Sequence, residues 1–223
     1  MRSLPLPLAL TARLSPVVVL AAMGWALTSG PFAATPAGEN DPAGKNAAAS
    51  GSDKSAPATS AASKTYPQAP APCKGISEKT VKSLVPGAKA AGKEITSTDK
   101  AIRRTCSWNA LKGYDYRWLD VSYEIKDSDQ KARTAYEQRT KEASGGGVVP
   151  GLGDAAYSVV NLTTDKKQQT REGVVIARAS NALVVITYNG SNFETKKAPG
   201  TDEINKGAIK AAKEAVAALV DAQ

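Results

Sequence analysis

The sequence predicts an α+β domain in which an antiparallel sheet of about five strands carries helices on one face, in the order αββαβββα. A disordered linker and an N-terminal apolar segment precede it. Three observations predict this arrangement. Between Ala33 and Pro72 there is no Val, Ile, Leu, Met, Phe or Trp, so burial, and with it folding, is confined to the chain from Cys73 onward. Beyond that point alternating strand patterns follow one another with short connections, which favours antiparallel neighbours. Helical periodicity opens and closes the strand set and interrupts it once, which suits a two-layer packing.

Residues 1–34 read as a membrane-targeting segment. Arg2 and Arg13 precede the apolar run Val17-Val18-Val19-Leu20-Ala21-Ala22-Met23-Gly24-Trp25-Ala26-Leu27, and no charge follows Arg13 until Glu39. A basic start, a short apolar core and small residues beyond it describe a secretory signal. Extended through Leu14 and Phe32, the same stretch reaches the roughly 20 residues of a membrane span. It is either a cleaved signal or a retained anchor. In both cases the leading positive charges place the remainder on the outer side of the membrane.

Residues 35–72 form an Ala/Pro/Ser-rich stretch, with Tyr66 as its only aromatic side chain. It is expected to be a flexible linker whose ends average roughly 35 Å apart.

Residues 73–223 are expected to fold as the extracytoplasmic domain. Ser77 is placed to cap a first helix, with Ile76 before it as a hydrophobic staple. Val81, Leu84 and Val85 give that helix an apolar side, and Pro86-Gly87 ends it. Residues 103–110 read as a strand carrying Cys106 and Trp108. After a turn at Lys112-Gly113, residues 116–125 alternate: Leu119, Val121, Tyr123 and Ile125 toward the core, Trp118, Asp120, Ser122 and Glu124 away from it. Ser128 caps a polar helix, with Ala132, Ala135 and Tyr136 turned inward, which the glycines after Ser144 stop. Strands at 156–162, 173–179 and 183–188 follow, the last two joined at Ser180-Asn181. A final helix at 202–220 lines up Ile204, Ala208, Ile209, Ala212, Val216, Leu219 and Val220.

Cys73 and Cys106 are the only cysteines. An even count in an exported domain reads as a disulfide, worth about 3–4 kcal/mol for a loop of this length in the chain-entropy picture. Two thiols without histidine make a poor metal site, and no cofactor or metal is expected.

The chain contains no histidine, which removes the commonest general base and metal ligand. Its formal charge of +8 is spread among acids, as in Lys79, Lys82, Lys89 and Lys93 beside Glu78 and Glu94. Such a surface lacks the concentrated basic stripe of a nucleic-acid groove, and no nucleic-acid partner is expected. Gly151-Leu152-Gly153-Asp154-Ala155-Ala156 matches a loose dinucleotide pattern but leads into a strand, where the pattern has no mechanism. The serine–lysine spacings at Ser97/Lys100 and Ser128/Lys131 occur at chance frequency and lack companion motifs. Asp120 and Glu124 share a strand face, which is an acid–base arrangement only where burial splits their titration.

The candidate binding surface is aromatic. Trp108, Tyr114, Tyr116 and Trp118 fall within eleven residues across a hairpin, with Tyr116 and Trp118 on the side away from the predicted core.

Pro72-Cys73 before a capped helix, Arg104-Thr105-Cys106-Ser107-Trp108 on the next strand, and Val149-Pro150-Gly151-Leu152-Gly153-Asp154-Ala155-Ala156-Tyr157 together form one pattern. Over residues 72–222 it resembles the small extracytoplasmic domains of unknown function in actinobacterial envelope lipoproteins and membrane-anchored proteins. The resemblance implies a structural disulfide and an α+β fold, and it carries no catalytic residues. No cysteine follows the apolar run, so lipid anchoring does not transfer. The expectation is a non-enzymatic envelope binding, accessory or sensing domain, or else a structural or assembly partner of another envelope protein, with a hydrolase as the third reading. Its partner is an unknown envelope ligand or protein, with membrane contact through the N-terminal segment if that is retained.

Overall fold

The computed structural model describes residues 64–222. The targeting segment at 1–34 and most of the linker at 35–72 lie outside the described residues. The described residues are α+β, with seven strands and three α-helices among them. The strands are β1 (Lys93–Ile95), β2 (Arg103–Lys112), β3 (Asp115–Ile125), β4 (Gly147–Val148), β5 (Ala155–Asp165), β6 (Gln168–Ala179) and β7 (Ala182–Asn192). All pair antiparallel in the spatial order β1-β2-β3-β7-β6-β5-β4. Two meanders therefore meet at the centre, where β7 returns to lie beside β3. The helices are α1 (Glu78–Leu84), α2 (Asp129–Glu142) and α3 (Thr201–Val220).

The five expected strands are present, and each runs longer than its apolar stretch. The two additional strands are the sheet's edges, three and two residues long. Short edges limit the unpaired backbone on offer to another chain.

The caps follow the sequence. Ser77 accepts from the Thr80 backbone N–H and Ser128 from that of Lys131. Gly151 and Gly153, both at positive φ, form a turn leading into β5, where the Asp154 carboxylate accepts from the Ser180 N–H and pairs with Arg178 at 2.9 Å.

The inner face of the sheet packs on α1 and α3. Leu119, Val121 and Tyr123 are fully buried there, with Val175, Ala177, Val184 and Ile186 beside them. Two tyrosines reach past this layer to satisfy helix carbonyls: Tyr123 donates to Ala215 O at 3.0 Å and Tyr188 to Leu84 O at 2.8 Å. Cys73, on a single 3-10 turn (Pro72–Lys74), is bonded to Cys106 of β2, with the Cα atoms 5.1 Å apart. In α3 the buried side runs through Gly207, Ala211 and Ala215, whereas Val220 is exposed. Small residues bring the helix axis close to the sheet, which rotates the buried stripe away from the expected Val220.

One expectation is corrected here: the helices do not share a face. Tyr123 points to α3, so its neighbour Glu124 points the opposite way, and there Arg139 of α2 meets it at 2.8 Å. Ala132, Ile176 and Leu183 are buried on this outer side. The physical reason is that Leu183-Val184-Val185-Ile186 is apolar on both faces, so a second layer is needed over β6 and β7.

The linker boundary also moves. Tyr66 and Ala69, placed in the linker by composition, are buried in the main core. Asn181, fully buried at the β6–β7 turn, accepts from Tyr66 N–H at 2.8 Å and donates to Tyr66 O at 2.9 Å and to Lys126 O at 2.9 Å. A polar side chain with its capacity used by distant backbone is a clamp, and it draws the end of the apolar-poor stretch into the fold.

Candidate functional site

Pairing registers give a direct map of the outer face, because residues opposite each other on neighbouring strands share a side. One row reads Asn109 (β2), Trp118 (β3), Asn189 (β7), Glu172 (β6). The adjacent row reads Lys93 (β1), Ser107, Asp120, Thr187, Val174. On the far side of the first row Leu111 faces Tyr116, which faces Ser191. α2 covers the other end of this face, where Glu124 and Leu183 lie, and leaves these rows open.

The expected aromatic surface is brought together only in part. Trp108 alternates onto the inner face, is 2% exposed, and donates its indole N–H to Ala90 O at 3.0 Å. It belongs to the core and is removed from the binding surface. Its ring and Cys106 Sγ are held against Gly92, where an added Cβ would lie 2.6–2.7 Å from both. Tyr114 sits on the β2–β3 turn and is exposed. Tyr116 and Trp118 are half-buried on the open face, in an edge-on contact with centroids 6.3 Å apart.

Phe193, which sequence reasoning missed, stacks at a tilt on Tyr116 with centroids 6.0 Å apart, and is 47% exposed. Its N–H bonds to Tyr114 O at 2.9 Å, which joins the two loops at this end of the sheet. As a lone aromatic in a polar loop, it shows no periodicity. With Leu111, which is 58% exposed, these side chains make a continuous apolar strip. Burial, assisted by the Asp120 charge, raises the Tyr116 phenol above its ordinary range, so it stays a neutral hydroxyl.

Trp118 donates its indole N–H to Asp120 Oδ1 at 2.6 Å. Residues two apart on a strand are separated by about 6.7 Å. The bond therefore requires the indole to lean along β3 instead of standing away from it. Asp120 makes no other hydrogen bond or ion pair among the described residues, which leaves Oδ2 free to accept. Opposite it, Ser107 is 8% exposed and its Oγ has no partner among the described residues. The side chains of Asn109, Asn189 and Thr187 also make no hydrogen bond there.

Asp120 also lines an open groove of about 590 Å³ that continues from this patch toward β1. Ile95, Thr105, Arg103 and, from the loop after β1, Thr96 to Asp99 and Ile102 form its walls. The loop is ordered by Asp99, whose carboxylate accepts from Ala101 N–H and whose carbonyl accepts from Ser97 Oγ.

Asp120 and Glu124 do not form an acid–base pair. Burial opposes ionisation of Glu124, but Arg139 and Lys126 outweigh it and hold the carboxyl below its ordinary range, and Arg103 lies 3.9 Å away. A carboxylate committed to three cations is a structural charge. Among the described residues there is no group of three or more His, Cys, Asp or Glu placed to hold a metal, and no helix is long and apolar enough to cross a membrane.

Comparison with known proteins adds little. No protein-family model and no curated protein match the chain. A crystal structure of a protein from Bacteroides thetaiotaomicron VPI-5482 aligns over 53% of this chain and 46% of that one, at 12% identity and a TM-score of 0.34. The aligned part is less than half of that protein, and likeness at this level carries no argument about fold or function.

Proposed function

We propose that the chain is a non-enzymatic binding module of the cell envelope, membrane-tethered or secreted, and that the open part of the outer sheet face is its recognition surface. The observation that carries this reading is the division of that face. α2 covers the end bearing Glu124 and Leu183, while Tyr116, Trp118, Leu111 and Phe193 lie side by side on the open end. Large aromatic side chains left half-exposed on a rigid sheet, with unused polar groups beside them, are the makings of a binding surface. The disulfide supports the envelope assignment, because such bonds persist in oxidising compartments. Membership of the actinobacterial extracytoplasmic group is part of the same proposal.

Site-specific photocrosslinking in intact envelopes tests it. A photoreactive residue at Asn109, on the open face, should capture a discrete species that is lost in Trp118→Ala. The same residue at Lys141 on α2 should not. Equal capture at both positions, or capture indifferent to Trp118, refutes the surface as the site of recognition.

A further inference from the structure

We infer that the ligand of this surface is a neutral oligosaccharide, with one sugar ring seated on Trp118 and the chain continuing past Asp120 into the groove toward β1. The inference rests on the binding-module reading above and assigns its ligand class. The patch formed by Asn109, Trp118 and Asn189 with Ser107, Asp120 and Thr187 spans three strands and two rows, about 10 by 7 Å. That is the footprint of a single pyranose ring.

Its chemistry is mixed in the way a sugar is mixed. The indole, leaned along the strand by its bond to Asp120, offers an apolar platform for the C–H face of a ring. Around it stand groups with unused hydrogen-bonding capacity. Asp120 Oδ2 can only accept, so it calls for hydroxyl donors. Ser107 Oγ, unpartnered and closed to solvent in the free protein, can both donate and accept once the side chains covering it shift on binding. The two amides, on Asn109 and Asn189, do the same at the flanks. A buried hydroxyl without a partner destabilises the free protein, and a ligand hydroxyl removes that penalty.

The charge pattern narrows the class further. Asp120 and the groove's Asp99 are offset by Lys93 in the same row and Arg103 in the groove wall, so the surface carries no excess of either sign to select a charged ligand. Asp120 and Ser107 are also residue types depleted at protein–protein contacts, which argues against a protein docking on this row. The groove beyond Asp120, walled by threonine and serine side chains with Ile95, Ile102, Asp99 and Arg103, gives room for further rings.

The test is an NMR titration of the full-length 15N-labelled chain with chitotetraose, cellotetraose, maltotetraose and mannotetraose. Tetraglycine and inorganic phosphate serve as comparison ligands. At least one tetrasaccharide should shift the Trp118 indole N–H signal, identified by its loss in Trp118→Phe, while leaving the Trp108 signal in place. Trp118→Ala should abolish the shift. Ser107→Ala and Asp120→Asn should each weaken the same interaction roughly tenfold. Ser107→Ala should do so with no loss of thermal stability, because the hydroxyl it removes has no partner in the free protein. Failure of all four sugars to move the Trp118 signal overturns the saccharide assignment, as does a stronger response to tetraglycine or phosphate. Should Trp118-dependent photocrosslinking persist in that case, the binding-module reading stands and only the ligand class falls.

Discussion

At the scale of single residues, Glu124 shows how a charge is carried inside the fold. Its side chain is buried and faces Arg139 at 2.8 Å, Lys126 at 3.1 Å and Arg103 at 3.9 Å. Burial alone would raise its pKa, but the cations win and the folded value lies below the ordinary one. A carboxyl depressed in the folded state contributes stability that is present above its unfolded pKa of about 4.3 and is lost as pH falls through the folded value. Arg139→Ala should cost about 2 kcal/mol at pH 7, less than the loss of a fully buried partner because Arg139 is a third exposed and Lys126 remains. The gap to the parent should narrow as the pH drops toward 4, since protonation removes the charge that Arg139 serves. Urea unfolding from pH 7 to 3.5 measures this. A gap that stays constant with pH would assign the loss to packing. The sequence placed Glu124 correctly on the outer side of its strand, yet it gave no sign of burial, because Arg139 lies fifteen residues away on another element. Trp108 misled in the opposite sense. Its nearness in sequence to Trp118 suggested one cluster, whereas the two pair with different residues on opposite faces.

At the scale of elements, α3 depends on what it lacks. Gly207 sits in the middle of the helix, where alanine would be preferred by about 1 kcal/mol on propensity alone. An added Cβ there would lie 2.6 Å from Tyr188 Cε1 and 3.1 Å from Leu84 Cδ2. Tyr188 cannot easily yield, since it is buried and its hydroxyl is bonded to the last carbonyl of α1. Overpacking of this kind costs about 1–3 kcal/mol, enough to cancel the propensity gain or exceed it. Gly207→Ala should therefore bring no stabilisation and cost up to about 2 kcal/mol, while Lys206→Ala, one position away on the exposed side, changes little. A thermal melt of each variant decides, and a stabilised Gly207→Ala would show that α3 can move off the sheet freely. Capped helices and alternating strands were legible because their signals are local: Ser77, Ser128 and the β3 alternation each stand in a few consecutive residues. The face chosen by α2 was not legible. With only Ala132 fully buried, the helix has almost no apolar stripe to aim, and the cue lay instead in the doubly apolar run of β7.

At the scale of the molecule, the sheet has two distinct ends separated by strands of about eleven residues, roughly 35 Å. Phe193, Tyr114 and Leu111 occupy one end. The chain enters the described region at the other, where Lys64 pairs with Asp127 at 3.4 Å and Asn181 clamps Tyr66. Composition drew the domain boundary at Cys73 because a single tyrosine in an Ala/Pro/Ser stretch carries no periodicity. The clamp that recruits it lies 115 residues further on. The segment from Lys64 to Ala71 is thus part of the folded unit, held by the Asn181 clamp together with the burial of Tyr66 and Ala69. Removing that segment breaks two of the three hydrogen bonds of Asn181, a loss of about 1–3 kcal/mol in addition to the lost burial of Tyr66 and Ala69. Asn181→Ala in the intact chain should cost a similar amount, because it strands the Tyr66 backbone groups and Lys126 O instead. The two losses share one cause, so combining them should cost distinctly less than their sum. Urea unfolding of the four chains in this cycle measures the coupling. Simple additivity would mean that the segment is held by the burial of Tyr66 and Ala69 alone. A coupling above about 1 kcal/mol would establish Asn181 as the residue that fastens the entering chain to the sheet end opposite the aromatic surface.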